Sequence, residues 1–313
     1  MLTPIEEAPA EAFVPQPTQV LIPVSPSAIR ARDPSLPVET QRHLLAMQYR
    51  AVTIQDAYRG GNAYFNTTTQ SWWLLTKRPE ASFKGLVFEA ALARLCKEDP
   101  FNIGRKAFAW CTNKSLGRVS DETISQYTPL ITADPSLLND PLTASFFNPQ
   151  SVFDFHFYKI NSQGSAEIAT QVGTAVQAGI QVKAIRGGER QEIIDPIRSG
   201  RYHHVLTMLE HPSGIHSYEV CTRILRAMVT NGEIDGEMFA HILGRITYPS
   251  NLGISQEYIN DYSEYISQIY GAGGAATADM SAAIGLEVTQ SFVESAGGIL
   301  IPDNTLVTPT TIQ

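Results

Sequence analysis

The stretch Gly179-Ile-Gln-Val-Lys-Ala-Ile-Arg186 combines an apolar, strand-like run with two polar side chains at alternate positions. Because successive side chains of a strand point to opposite faces, Gln181 and Lys183 are predicted to share one face. An unpaired polar group buried in an Ile/Val strand costs roughly 2–7 kcal/mol. The pattern therefore predicts that this face meets an anionic ligand or a metal ion rather than an apolar core.

Two acidic residues precede this strand in segments that otherwise favour burial. Asp154 lies within the aromatic and β-branched run Ser151-Val-Phe-Asp-Phe-His-Phe-Tyr158, which is typical of a strand. Glu89 lies within Lys84-Gly-Leu-Val-Phe-Glu-Ala-Ala-Leu-Ala-Arg-Leu-Cys-Lys97, whose spacing indicates an amphipathic helix. A helical glutamate, a strand aspartate and a strand Gln-x-Lys therefore follow one another along the chain.

This order of residues resembles the PD-(D/E)xK nuclease superfamily, and most closely the Gln-x-Lys variant of Mrr-type (type IV) restriction endonucleases. The resemblance rests on Gly85-Leu-Val-Phe-Glu89, Asp154 and Ile180-Gln-Val-Lys183. It extends over about residues 84–210. Phe153 precedes Asp154, where the family motif has a proline.

The resemblance implies an α/β protein with a restriction-endonuclease-like mixed sheet flanked by helices, and hydrolysis of DNA with Mg²⁺ or Mn²⁺. One hard divalent cation can make water nucleophilic and neutralise charge at the phosphorus. Because such cations take oxygen ligands, Asp154, Gln181 and Glu89 are the expected metal ligands. Lys183 joins them in the expected catalytic set, where it holds the attacking water or stabilises the developing oxyanion. His156, on the face of Asp154, is expected behind these ligands, in contact with phosphate, or as an aromatic filling the sheet.

Ordinary structural roles remain open for the same residues. Asp154 could cap a turn, Gln181 and Lys183 could form the solvent face of an edge strand, and Glu89 could be helix surface. The alternative function is that of a catalytically silent nuclease-fold or structural protein, acting as a binding platform in an assembly. Cleavage of a plasmid with and without Mg²⁺ distinguishes the two classes.

The net charge of −8 is unevenly distributed along the chain. Residues 76–118 hold nine Lys and Arg against four Asp and Glu, whereas residues 232–313 hold one Arg against ten acids. The basic segment is expected either to face phosphates, with release of counterions, or to be a solvated face. The acidic segment is expected to contact a partner protein or to shield the basic cleft. The residues predicted to bind nucleic acid are Lys84, Arg105, Lys106, Lys114, Arg118 and Arg186.

The composition bounds the class of protein. With 43% apolar residues over 313 positions the chain can bury a substantial core. No apolar run is long enough for a membrane span and no signal-peptide pattern is present, so we expect a cytoplasmic protein without a membrane partner. The three cysteines lack C-x-x-C spacing and indicate neither disulfides nor a zinc ribbon. The histidines at positions 203–216 lack zinc-site spacing, so structural or solvent-facing roles are expected.

The chain divides into five predicted regions. They are a Pro-rich extended arm (1–38), a helical and aromatic segment (39–83), the nuclease-like core (84–215), a helical cap (216–270) and an Ala/Gly-rich helix with a tail (271–313). We expect the C-terminal helices to serve a homo-oligomer or a protein partner. The core is predicted to run helix, strand, strand, strand, helix, strand. Its predicted segments are helix 84–98, strand 106–112, a loop-rich insertion to 150, the strands of Asp154 and Gln181 separated by an inserted helix or extended hairpin at 165–178, helix 188–198 and strand 204–209.

Overall fold

A computed structural model of the chain describes residues 37–66, 71–74, 78–273 and 279–280. In these residues a mixed, open sheet is flanked by helices on both faces, which confirms the predicted α/β class. The helices are α1 (Val38–Arg59), α2 (Glu80–Glu98), α3 (Arg105–Cys111), α4 (Asp121–Ser125), α5 (Asp195–Arg198), α6 (Ser217–Thr230), α7 (Gly236–Leu243) and α8 (Gln256–Gly273).

The main sheet has six strands in the order β3-β4-β6-β7-β8, with β5 paired to β4. Strand β4 is antiparallel to both β3 and β6, whereas β6, β7 and β8 are parallel. The carboxyl ends of β6, β7 and β8 therefore lie at the same edge as the amino end of β4, and we call this the carboxyl edge. The strands are β1 (Ala63–Asn66), β2 (Ser71–Leu74), β3 (Thr128–Ile131), β4 (Phe155–Ile160), β5 (Ala166–Ile168), β6 (Gly179–Lys183), β7 (Val205–Thr207), β8 (Ile246–Thr247) and β9 (Asp279–Met280). Strands β1, β2 and β9 form a separate small sheet.

Alternation along the strands separates two cores. Phe155 of β4, with Ile180 and Val182 of β6, packs beneath α1, α2, α3 and α8. On the opposite face, Val205 of β7 and Ile246 of β8 pack against α5, α6 and α7. The second helical layer thus covers β7 and β8, and the same face of β4 and β6 carries polar side chains.

A buried ion pair joins the helices of the first layer. Arg94 of α2 is 1% exposed and donates from Nε to both oxygens of Asp56 of α1 at 3.1 Å. Tyr258 of α8 accepts from Arg94 Nη2 at 2.9 Å, and Tyr262 donates to Asp56 Oδ2 at 2.5 Å. Arg94 Nη1 also donates to Glu98 at 3.1 Å, although burial raises the pKa of Glu98 to about 7. This network holds α2, and with it Glu89, against α1 and α8.

The structure confirms several predicted core elements. The helix around Glu89 is α2, and the strand of Gln181 is β6. The helix that follows this strand is formed by residues 190–198, and the next strand is β7. The prediction of a strand at 106–112 is wrong, because these residues form α3 and bury Ala107, Phe108 and Cys111 at helical spacing. The first core strand is β3, within the segment expected to be loop-rich. Residues 165–178 form the hairpin alternative, with β5 paired to β4.

The helices expected after Ser217 are present, with one correction. The region predicted as a helical cap, 216–270, also contains the short strand β8, which begins at Ile246 and pairs with β7 in the main sheet. No described helix is both long and apolar enough to cross a bilayer. The predicted arm at 1–38 and tail at 271–313 lie almost entirely outside the described residues.

The first prediction concerns the buried ion pair. Replacing Arg94 by Met leaves the Asp56 carboxylate buried without its cation, and we expect a loss of about 3–5 kcal/mol in the free energy of unfolding. Urea denaturation measures this loss. Arg105→Ala is the control, because its 3.3 Å pair with Asp121 is partly exposed and is expected to contribute about 1 kcal/mol or less. Equal losses in the two variants would show that the buried pair does not hold the helical layer.

Candidate active site

The backbone of Asp154 is fixed at the carboxyl edge by bonds to two neighbouring strands. Its N–H donates to the carbonyl of Ile180 in β6 at 3.0 Å, and its own carbonyl accepts from Thr132 N–H, just after β3, at 2.9 Å. Asp154 therefore lies where β4 begins, between two strands that are already paired. The position of its side chain is set by the sheet and not by a loose loop.

The Asp154 carboxyl group contacts β6 directly. Its Oδ2 accepts from Gln181 Nε2 at 2.6 Å and from the Val182 N–H at 2.7 Å. Asp154 and Gln181, which lie 27 positions apart in the sequence, are thus hydrogen-bonded partners. The bond places the amide nitrogen of Gln181, and not its oxygen, against Asp154.

Lys183 extends from the same face of β6 as Gln181. Its Nζ lies 3.2 Å from Glu192 Oε2 and 5.2 Å from the centre of the Tyr202 ring. The side chain of Glu192 is 55% exposed, while that of Lys183 is 15% exposed. Lys183 is thus a shielded cation whose partner carboxylate is open to solvent and can be displaced.

Glu89 approaches the same place from α2, and it is largely buried. Burial raises its pKa well above the ordinary value, and the charge of Asp154 raises it further. Burial also raises the pKa of Asp154 to about 6, although the Val182 N–H, Lys183 and Gln181 act in the opposite direction. The two carboxyl groups therefore interact in a site whose protein cations do not fully compensate their charge. A bound cation would correct this imbalance.

The donor set fits a hard cation. Asp154 and Glu89 supply carboxylate oxygens, Gln181 can supply an amide oxygen, and Mg²⁺ completes such sets with backbone carbonyls and water. Across the part of the chain that the structure describes, no group of three or more His, Cys, Asp or Glu side chains is arranged to hold a metal. The candidate site therefore depends on the neutral Gln181 as its third side chain.

His156 lies in the packed layer beside the site. It is 2% exposed, its Nδ1 is 2.7 Å from the Ala178 carbonyl oxygen, and its ring is 5.0 Å from that of Phe153. Burial lowers its pKa. A Cβ at Gly179 would come within 2.7 Å of both His156 and Phe153, so this contact needs a glycine. These contacts agree with the aromatic filling role, and the role behind the metal ligands stays a prediction.

The six predicted nucleic-acid contacts fall into two groups. Lys84 lies on α2 and pairs with Glu80 at 3.2 Å. Arg186, three residues beyond Lys183, donates from Nε to the Glu210 carbonyl at 2.8 Å and lies close enough to Glu80 to influence its pKa. Arg186 is therefore near the candidate site, whereas Lys84 is largely buried beside Glu80. The other four, on α3 and in the segment that follows it, are Arg105, Lys106, Lys114 and Arg118.

Sequence reasoning missed three neighbours of the site. Glu192 and Tyr202 contact Lys183, and the charge of Arg78 acts on Glu89. Nothing in their spacing marks them, because each reaches the site through the folding of a different element.

No protein-family model matches the chain, and neither a curated protein nor a solved structure was found to be similar to it. The geometry of these residues and the motif that they form are therefore the basis for assigning a function.

The second prediction concerns pH. In the unfolded chain Glu89 and Asp154 titrate near 4.5 and 3.8, and folding raises both pKa values. The contribution of Asp154 to stability is therefore fully present below about pH 4 and is lost as the pH rises through about 6, and the raised pKa of Glu89 acts in the same direction. A cation bound by both carboxylates opposes this loss. We expect millimolar Mg²⁺ or Mn²⁺ to raise the melting temperature little at pH 5 and clearly at pH 8.

The control for this measurement is the double variant Glu89→Gln, Asp154→Asn, which keeps the shape of both side chains. We expect its melting temperature to be insensitive to the metal at either pH. A metal-dependent shift of equal size in the double variant would mean that the cation binds elsewhere.

Proposed function

We propose that the chain is a metal-dependent endonuclease that hydrolyses DNA phosphodiester bonds with Mg²⁺ or Mn²⁺. The observation that carries this proposal is the hydrogen bond between Asp154 and Gln181, with Lys183 on the same face of β6 and Glu89 near enough for the charges of Asp154 and Lys183 to act on its pKa.

Asp154, Glu89 and Gln181 would hold the divalent cation. When bound, the cation supplies a nucleophilic water at neutral pH and neutralises negative charge on the phosphate. The protein's own part is to keep two carboxylates ready within a shared, partly desolvated site. Their raised pKa values mean that protons and cations compete for the same oxygens, so cation binding is expected to strengthen as the pH rises.

Lys183 would contact the scissile phosphate. Its present partner, Glu192, is an exposed carboxylate, so a phosphate oxygen can take its place at Nζ with little rearrangement. An ammonium fixed at that point stabilises negative charge that develops on the phosphoryl oxygens during hydrolysis. Tyr202, beneath Nζ, limits where the ammonium can go.

The surface around the site suits an extended polyanion. Helices α5, α6 and α7 pack over β7 and β8, and the remaining part of that sheet face carries Asp154, Gln181 and Lys183. Arg186, at the carboxyl edge, can extend the contact along a nucleic-acid backbone.

The third prediction tests the catalytic roles. Asp154→Asn and Lys183→Ala are each expected to reduce plasmid cleavage by roughly 100-fold or more, since each removes a group that stabilises charge in the transition state. Asp154→Asn should also lose the metal-dependent rise in melting temperature, whereas Lys183→Ala should keep it. Glu167→Gln, at an exposed position in β5, is the control and should cleave normally.

The substrates for this assay are supercoiled plasmid, single-stranded DNA and RNA, each with Mg²⁺ and with Mn²⁺. If the wild-type chain cleaves none of them, the nuclease proposal is rejected and the binding-platform alternative takes its place. Cleavage of RNA alone would retain the chemistry and correct the substrate.

The fourth prediction concerns phosphate contacts. Arg186→Ala should weaken DNA binding and reduce the slope of log K against log salt by about one unit, because one phosphate contact is lost. Fluorescence anisotropy from about 50 to 200 mM salt measures the slope. The paired change Arg105→Ala, Lys106→Ala shows whether α3 also belongs to the interface. An unchanged slope in Arg186→Ala would remove this residue from the interface.

A further inference from the structure

A pocket lined by polar and aromatic side chains opens at the carboxyl edge, beyond the ends of β7 and β8. It has a volume of about 320 Å³. Glu210 follows β7, Tyr248 and Ser250 follow β8, His216, Tyr218 and Glu219 lie at the start of α6, and Gln256 begins α8. Elements from both helical layers therefore meet at one concave site.

His216 presents a hydrogen-bond donor there. Its Nδ1 accepts from the Tyr218 N–H at 3.0 Å, and burial lowers its pKa, so the ring is neutral and carries its hydrogen on Nε2. The residue is 7% exposed, and Nε2 has no hydrogen-bond partner among the described residues. The carbonyl of Met208 lies close enough to this ring to raise its pKa, and it also accepts from Gln256 Nε2 at 3.2 Å.

Gln256 presents an acceptor. Its Nε2 donates to the Met208 carbonyl and, at 3.1 Å, to Asn260 Oδ1, which fixes the orientation of the amide. The buried Oε1 is then the free end, and no described residue donates to it. Glu210 adds a carboxylate, one oxygen of which accepts from Asn260 at 2.8 Å. A ligand in this pocket must therefore both accept and donate hydrogen bonds.

Aromatic rings form the walls of the pocket. The ring centres of Tyr218 and Tyr248 are 5.0 Å apart with 39° between their planes, and His216 lies 5.2 Å from Tyr248. Such surfaces favour a flat ligand. A phosphate would satisfy His216 but would meet the charges of Glu210 and Glu219. An organic cation would satisfy Glu210 and Gln256 but would leave the His216 donor without an acceptor.

We propose that this pocket binds a nucleobase that carries an exocyclic amino group. The base stacks on the tyrosines, a ring nitrogen or carbonyl accepts from His216 Nε2, and the amino group donates to Gln256 Oε1 or the Glu210 carboxylate. This combination of stacking with a base edge read by hydrogen bonds is how proteins hold unstacked bases.

The position of the pocket connects it to the candidate active site. Arg186 Nε donates to the Glu210 carbonyl, so the chain just beyond Lys183 touches the pocket wall. In the pairing of β6 with β7, Lys183 lies opposite Thr207, and neighbouring strands are about 4.8 Å apart. The inference rests on the proposed function in one respect, since it takes the base to come from the strand being cleaved. A free nucleotide offers the same chemistry.

The experiment compares single-stranded oligonucleotides that carry normal bases with oligonucleotides of abasic residues. The protein is the full chain with Asp154→Asn, which prevents cleavage. We expect the base-containing strand to bind at least about tenfold more tightly, as base–aromatic stacking predicts. Tyr248→Leu and Gln256→Leu should each reduce this preference at least about fivefold. Tyr158→Leu, at the far end of β4, is the matched control and should keep the preference.

Free dCMP, dAMP and TMP, titrated by calorimetry, identify the source of the base. Binding of dCMP or dAMP that is lost in Tyr248→Leu, without a preference for base-containing strands, would assign the pocket to a free nucleotide. Equal binding of normal and abasic strands, together with no binding of any nucleotide, would overturn the proposal. So would a preference that survives in both pocket variants. Because binding is measured without cleavage, a chain that fails to cut DNA but keeps the preference would reject only the nuclease proposal.

Discussion

The alternation of side chains along β6 is the constraint on which the structure depends. Ile180 and Val182 must enter the core beneath α2, and this requirement turns Gln181 and Lys183 to the other face. The same strand also provides the Val182 N–H that binds Asp154. A single strand thus belongs to the core on one face and to the candidate site on the other, so the site inherits the rigidity of the sheet.

The buried charges of the helical core are paired, whereas the carboxyl groups of the candidate site are not fully compensated. Around Arg94 and Asp56, charges are fully buried but paired, and two tyrosine hydroxyls complete their hydrogen bonds. At Glu89 and Asp154, burial opposes the ionisation of both carboxyl groups, and the charge of Asp154 further opposes that of Glu89. Unfavourable interactions of this kind are common where a protein prepares to bind a ligand. Helix α2 carries both Arg94 and Glu89. The ion pair of Arg94 with Asp56 therefore holds in place the helix that presents Glu89.

The sequence was informative where a local pattern and a tertiary requirement coincide. The period of two around Gln181 predicts its face, and the helical period around Glu89 predicts α2, because each pattern reflects the core that the element covers. The segment 106–112 was predicted wrongly, because a short run of Ala, Phe and Cys is compatible with either a buried strand or a short helix. It continues from α2 through a π-helical turn at 100–104 and places Phe108 against Phe157 of β4. The contact of Glu192 with Lys183 and the pocket of His216 depend on long-range packing, which no local pattern contains.

Gly179 has a consequence for the folding of β6. Alternation forbids the strand from slipping by one residue, because its apolar side chains would leave the core. A slip by two residues would preserve the faces, and alternation alone does not prevent it. Gly179 does, because it pairs with His156 and leaves no space there for any side chain. Gly179 therefore excludes, by steric clash, the registers that are shifted by two residues and keep the same side chains in the core. In the register that remains, Gln181 contacts Asp154.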